Sequence, residues 1–389
     1  MNQKILHTPE GLRDIYGDEC ARKQELERRL HAVLASYGYR DIETPAIEFF
    51  EVFGSDIGTI PSKDLYKFFD REGNTLALRP DFTPSIARAA SRYFTDTDRP
   101  VRLSYLGRTY INRQGLQGRL HESTQLGAEL IGEASVDADA EIIAMATQAL
   151  AASGLSDFQI SIGHVAFYES LVEEAGLDRE TAERLRVLIH NHNTFGVEKL
   201  LSDRNIDGRI GSILTDLPRL NGGEEVLKTA GERSEGLRAH AAIARLKELL
   251  EILKVYGVEQ HVSFDFGMLS QYMYYTGIIF RGYTYGTGDA VVKGGRYDSL
   301  LAHFGKDAPS VGFVISVGDL MNALLRQKAG DFSGTERTLV LCGEEKRLEG
   351  HRLAAALRAE GKCVELVIGP DAEKGYAEDE TEYTGVIRL

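Results

Sequence analysis

The sequence predicts an α+β protein, and three stretches carry that prediction: a polar β-hairpin over residues 105–132, an almost wholly helical block over about 168–256, and a strand, helix and strand after residue 335. In the hairpin, two strand-like runs flank a loop that carries Arg113 and Arg119. The period of two along the second run puts Gln125, Gly127 and Glu129 on one face and Leu126, Ala128 and Leu130 on the other. An amide and a carboxylate projecting together suit a small polar ligand. They also suit the ordinary solvated face of an antiparallel sheet, and spacing alone leaves both readings open.

With 389 residues the chain is too long for one ordinary core and suggests two or three domains, on a prior of roughly 150 residues each. Hydrophobic residues at 43% and charged residues at 27% are those of a globular protein, and no apolar run approaches the roughly 18 residues needed to cross a bilayer, so no membrane partner is expected. The start of the chain lacks the apolar segment of a secretory signal, and Cys20, Cys342 and Cys363 are an odd, scattered set, which points to a reduced cytoplasmic protein without disulfides. The 45 basic against 59 acidic residues give a net charge of −14, a field that repels a phosphate polyanion and disfavours nucleic acid as a partner.

In chain order, Leu26, Leu30, Val33, Leu34 and Tyr37 form one stripe of an amphipathic helix over 18–37 that Gly38 stops. The strand-like run 39–48 contains Pro45, which cannot donate to a ladder and belongs at an edge or a subunit boundary. Short strands at 65–70 and 75–78 surround a turn, and the run from Leu78 to Thr83 leads into a helix over 84–94. Asp81 and Thr83 sit at that helix start, where plain capping is the simplest role for them. A helix over 135–152 has Asp137, Asp139 and Glu141 near its positive end and stops at Gly154, and a strand covers 158–167.

The helical block that follows holds His190 and His192, but positions two apart on a helix face different ways and no carboxylate or thiol stands at ligand spacing, so no metal is expected. Strands return at 262–266, 274–285 and 289–293, and the run from Gly294 to Asp298 reads as a tight turn whose two glycines permit close approach. Residues 309–325 read as a strand running into a helix, followed by a polar linker at 328–336. The last unit has strands at 338–342 and 362–368, a helix at 349–360 and a possible closing strand at 385–389, with a tail from residue 371 that carries about −4.

Tyr37-Gly-Tyr39 with Thr44-Pro45, Leu78-Arg-Pro-Asp-Phe-Thr83, Gln125-Leu-Gly-Ala-Glu129, Tyr274-Tyr275 and Gly294-Gly-Arg-Tyr-Asp298 together resemble histidyl-tRNA synthetase over about residues 10–325. The resemblance implies a class II aminoacyl-tRNA synthetase-like antiparallel sheet flanked by helices, normally dimeric. It gives a histidine-binding domain over 1–325, with the helical insertion at about 168–257, and a shortened carboxyl-terminal α/β domain over 335–389.

The departures from that family fall where it handles ATP. Ile111 stands in place of the arginine on the α-phosphate, Arg113 in place of a glutamate near adenine, Ser270 in place of a catalytic arginine, and Asp319 in place of the arginine on the γ-phosphate. Adenylation needs cations where phosphate charge develops, each worth roughly 3 to 4 kcal/mol. The residues resembling the amino-acid pocket remain: Asp81 in place of the family's glutamate, Thr83, Gln125, Glu129, Tyr274, Tyr275 and Tyr297.

Chemistry erased with histidine recognition kept resembles the synthetase-derived regulatory subunits of ATP phosphoribosyltransferase. That resemblance implies a non-catalytic protein with no catalytic residue, cofactor or metal of its own. It implies a homodimer that builds a hetero-oligomer with short-form catalytic subunits, is required for the first step of histidine biosynthesis, and mediates feedback by histidine as effector. The alternatives are a catalytically altered histidyl-tRNA synthetase and a synthetase-like interaction module serving another partner.

Overall fold

The computed structural model describes residues 6–54, 57, 60–95, 99–112, 120–206, 208–269, 274–330, 337–369 and 383–389. Arg113, Arg119, Ser270 and most of the acidic tail lie outside them. The chain forms two compact units, Met1–Asp14 with Leu26–Gly330, and Ile15–Glu25 with Asp331–Leu389.

Helix α1 (Gly17–Ser36) has no internal glycine or proline, and it buries Leu26, Leu30 and Leu34, the stripe that the sequence predicts. Gly38, at φ 81°, turns the chain out of it into β1 (Arg40–Asp41). A small antiparallel sheet follows, β2 (Ile47–Phe49), β3 (Lys67–Phe69) and β4 (Thr75–Leu78), with β4 in the middle. Next come α2 (Thr83–Tyr93), the hairpin strands β5 (Val101–Tyr110) and β6 (Glu122–Ile131), α3 (Val136–Ala152) and β7 (Phe158–His164). The insertion consists of α4 (Val165–Glu174), α5 (Arg179–His190), α6 (Thr194–Asp203), α7 (Gly208–Asp216), the two-residue β8 (Asn221–Gly222), α8 (Glu224–Ser234) and α9 (His240–Tyr256). Strands β9 (Val262–Asp265), β10 (Ile278–Thr284), β11 (Val292–Arg296) and β12 (Ser310–Ser316) then complete the main sheet before α10 (Val317–Gln327). The second unit adds β13 (Arg337–Cys342), α11 (Arg347–Ala359), β14 (Cys363–Ile368) and β15 (Gly385–Arg388), a parallel sheet with β13 central.

The main sheet has nine strands in the order β1-β5-β6-β12-β11-β10-β7-β9-β8. Its middle is antiparallel, and parallel pairs occur towards its two ends, β1 with β5 and β7 with β9. Register places Glu129 opposite Gly312, Gly312 opposite Gly295, and Gly295 opposite Ile279, so these four positions form one row on one face. The other face packs on α3 and α10, and α9 lies against α3. Over the β5 end of the first face lies α2, whose Ile86 and Ala90, with Phe82 just before it, bury against Leu103, Tyr105 and Ile131.

The sequence places Asp139 only near a helix dipole. In the fold it is fully buried between two arginines: its Oδ1 accepts from Arg296 Nε at 2.8 Å and its Oδ2 from Arg245 Nε at 2.8 Å. This ties α3 to β11 and to the insertion helix α9. The expected turn over 294–298 is also corrected. Gly294 and Gly295 lie inside β11 as extended, buried residues. A Cβ on Gly294 would stand 2.3 Å from Phe280 Cζ, and one on Gly295 would stand 2.7 Å from Tyr275 Cε1. Both glycines answer aromatic rings on opposite faces, a demand that looks like a turn signal in sequence. The strand expected at 274–285 begins only at Ile278, leaving Tyr274 and Tyr275 on the segment that leads into it.

Candidate functional site

Glu129 is the centre of the site, and at 1% exposure it is not a solvated strand residue. Its carboxylate points from β6 across β12, where only glycine fits, since a Cβ on Gly312 would lie 1.6 Å from Glu129 Oε2. Two hydroxyls hold it: Thr83 Oγ1 donates to Oε1 at 2.9 Å, and Tyr297 donates to Oε2. No cation neutralises it among the described residues. Its carboxyl is pushed up to about 8, chiefly by burial, with the two hydroxyl bonds drawing it down and nearby Asp81 adding to the rise.

Asp81 and Thr83 reach the site from the start of α2, and their geometry sets aside the capping role for Thr83. The N-cap of α2 is Phe82, which makes no side-chain cap bond, and the Thr83 hydroxyl is spent on Glu129. Asp81 Oδ1 accepts from the Thr83 N–H at a long 3.4 Å. Burial raises its carboxyl above the usual range, so two carboxyl groups share one poorly hydrated space. The segment stays in place because Arg79, itself buried, donates to the carbonyls of Arg108 at 2.9 Å and Thr44 at 2.6 Å and lies 3.9 Å over the Phe82 ring.

Gln125, two residues from Gly127 and four from Glu129 on the same face, has a buried amide oxygen without a hydrogen-bond partner among the described residues. Tyr105, which sequence reasoning did not single out as a site residue, has a hydroxyl in the same state. It stands over Gly127, where a Cβ would be 2.3 Å from that hydroxyl, and its ring stacks on Phe82 at 4.4 Å. The cross-strand pair Tyr105 and Gly127 is the only signal that could have found it in sequence, once the hairpin register is known. Tyr274 meets Tyr297 edge-on at 5.9 Å and Tyr275 at 4.6 Å, and Tyr275 packs towards Ile279 and Gly295.

All seven residues that the sequence singles out therefore bound one region of one sheet face. The region is rich in acceptors, with two carboxyl groups and an unpaired amide oxygen, and aromatic on the Tyr274 and Tyr275 side. Such a set fits a ligand that brings several N–H donors and positive charge.

The positions where the resemblance places ATP-handling cations carry none among the described residues. The Ile111 backbone N–H donates to the His121 carbonyl at 2.8 Å, which continues the hairpin. Asp319 lies in the first turn of α10, where its charge suits the positive end of the helix, and its Oδ2 accepts from Ser316 Oγ at 2.6 Å. Outside the site, His192 Nδ1 lies 2.8 Å from the Pro218 carbonyl. Among the described residues no group of three or more His, Cys, Asp or Glu side chains converges as a metal site, and no helix is long and apolar enough to cross a membrane.

Residues 11–320 match the family model for histidyl-tRNA synthetase. The ATP phosphoribosyltransferase regulatory subunit of Acetivibrio thermocellus is 40% identical over 96% of this chain and 90% of its own length. That of Thermoanaerobacter pseudethanolicus is 37% identical over 99% of this chain and 100% of its own. Among solved structures, an ATP phosphoribosyltransferase regulatory subunit/histidyl-tRNA synthetase from Bacillus halodurans superposes with a TM-score of 0.88 at 32% identity, covering 99% of this chain and 98% of that one. A histidyl-tRNA synthetase from Nostoc shares the fold, with a TM-score of 0.81 at 20% identity over 97% of this chain and 89% of that one.

Proposed function

The chain belongs to the family of ATP phosphoribosyltransferase regulatory subunits, built on the class II framework of histidyl-tRNA synthetase, and from that premise we propose that it is a non-catalytic subunit that binds free histidine and passes its occupancy to a short-form catalytic partner. In this reading it is required for the first step of histidine biosynthesis, acts in the cytoplasm, and as a homodimer builds a hetero-oligomer with the catalytic subunits. It needs no cofactor, metal or nucleic acid.

The observation that carries the reading is the contrast between the acceptor set around Glu129 and the positions where the resemblance places ATP-handling cations. Glu129, Asp81 and the Gln125 amide oxygen form a buried acceptor set with no cation among the described residues, which suits the ammonium and imidazole N–H groups of histidine. Ile111 and Asp319 stand where adenylation would need positive charge, and Asp319 accepts from the Ser316 hydroxyl.

Calorimetry of histidine against the full chain and its Glu129→Ala variant, with circular dichroism to confirm folding, tests this. Leaving a buried donor of the ligand unpaired costs about 2 to 5 kcal/mol, or roughly thirty-fold to several thousand-fold in affinity. Unchanged affinity in a folded variant would move the histidine site elsewhere.

A further inference from the structure

A pocket rich in acceptors and without a cation among the described residues leaves the negative end of an amino acid without a charged partner. On the same sheet face, one side-chain repeat beyond the row of Glu129, Gly312, Gly295 and Ile279, stand two cations. Lys293 is two residues before Gly295 on β11, and Arg281 is two residues after Ile279 on β10, so both share the face onto which Tyr275 packs. Register sets Arg281 directly opposite Lys293. Like charges directly opposite in an antiparallel pair are unfavourable and call for a compensating anion.

Little in the fold supplies one. Lys293 Nζ reaches Asp289 at 2.9 Å, a half-exposed pair of the kind that contributes little. Arg281, partly buried, makes no hydrogen bond or ion pair with any other described residue. The nearby carboxylate, Asp265, accepts at Oδ1 from the backbone N–H groups of Gly267 at 2.8 Å and Met268 at 3.2 Å, and it attracts Arg281 without forming an ion pair with it. The neighbour from the insertion is His190, which adds no negative charge. With strands about 4.8 Å apart, Lys293 lies two strands and one repeat from Glu129, within reach of a single amino acid between them.

We propose that Arg281 and Lys293 form the anion-binding end of the pocket and pair with the carboxylate of the bound amino acid, in place of the arginines that Ile111 and Ser270 replace. The site then selects a zwitterion: ammonium and side-chain donors at Glu129 and Asp81, carboxylate at Arg281 and Lys293. The inference rests on histidine binding as proposed above.

L-histidinamide keeps every donor of histidine and replaces the carboxylate by a neutral amide of similar shape. Calorimetry of both ligands against the full chain, Arg281→Gln, Lys293→Gln and the double variant separates the possibilities. We expect the unaltered chain to prefer histidine over the amide by about ten- to a hundred-fold. The double variant should bring that ratio close to one while leaving amide affinity unchanged, and thermal melts of the single and double variants report folding. Equal binding of histidine and amide to the unaltered chain, or a preference that survives in the folded double variant, would overturn the assignment while leaving the histidine site standing. Failure of the unaltered chain to bind either ligand would remove both readings.

Discussion

Glu129 is a carboxyl group held between two hydroxyl donors, with no cation beside it among the described residues, and that makes its proton the most sensitive feature of the pocket. Its folded value of about 8 lies above the ordinary 4.5, so the folded chain keeps a proton that the unfolded chain releases between those values. The stability contributed by the protonated group is complete below the ordinary value and is lost as pH rises through about 8. Glu129→Gln cannot titrate. Its stability relative to the unaltered chain should rise between pH 5 and 8, by up to about 1.4 kcal/mol per pH unit, and denaturant melts across that range measure it. A flat difference across the range would mean that Glu129 is ionised throughout. Gly312 is the second decisive residue, because an added Cβ would meet Glu129 Oε2 at 1.6 Å and the Ala128 carbonyl at 2.7 Å. Gly312→Ala should cost about 1 to 3 kcal/mol of stability and weaken histidine binding, whereas Gly318→Ala, in α10 with open space around it, should be neutral or stabilising by about 0.5 to 1 kcal/mol.

Among the elements, β11 and the residues after it do the most to join the pocket to the rest of the first unit. Consecutive side chains divide the work: Arg296 grips Asp139 on α3, Tyr297 turns to Glu129, and Asp298 accepts from Thr276 Oγ1 at 3.0 Å, just after the Tyr274 and Tyr275 pair. Asp139 holds Arg296 and Arg245 together, so its removal leaves one nearly buried arginine and one partly buried arginine facing each other. Asp139→Ala should destabilise the chain by about 3 to 5 kcal/mol, read as a lower denaturant midpoint. A loss below about 1 kcal/mol would mean that water replaces the carboxylate there.

For the whole molecule, the family and the fold are those of a synthetase relative, and the charge pattern bears on whether it still activates an amino acid. Without cations at positions 111 and 319, histidine-dependent pyrophosphate exchange by the isolated chain should not exceed a no-enzyme control. Clear exchange would return the chain to the ligases. Mixed with a short-form catalytic subunit of ATP phosphoribosyltransferase, it should co-elute as a larger assembly and change the rate of phosphoribosyl transfer to ATP, with histidine altering that rate. Separate elution at micromolar concentration with no change in rate would remove the proposed partner.

Local periodicity was enough to determine α1 and its buried leucines, the hairpin with Gln125, Gly127 and Glu129 on one face, the helical insertion, and the strand and helix order of the last unit. Each depends on neighbours a few residues away, and repeats of two or 3.6 are legible within a short window. Tertiary structure alone decided what those faces do. That Glu129 is buried depends on Tyr297, 168 residues later, and on a glycine in a strand that pairs with it. Asp139 reads as a dipole partner until Arg245 and Arg296 arrive from α9 and β11. The double glycine at 294 and 295 reads as a turn until the Phe280 and Tyr275 rings claim its two faces. Burial and pairing are properties of segments brought together by folding, so a strand's spacing says which side chains share a face but not what lies above it.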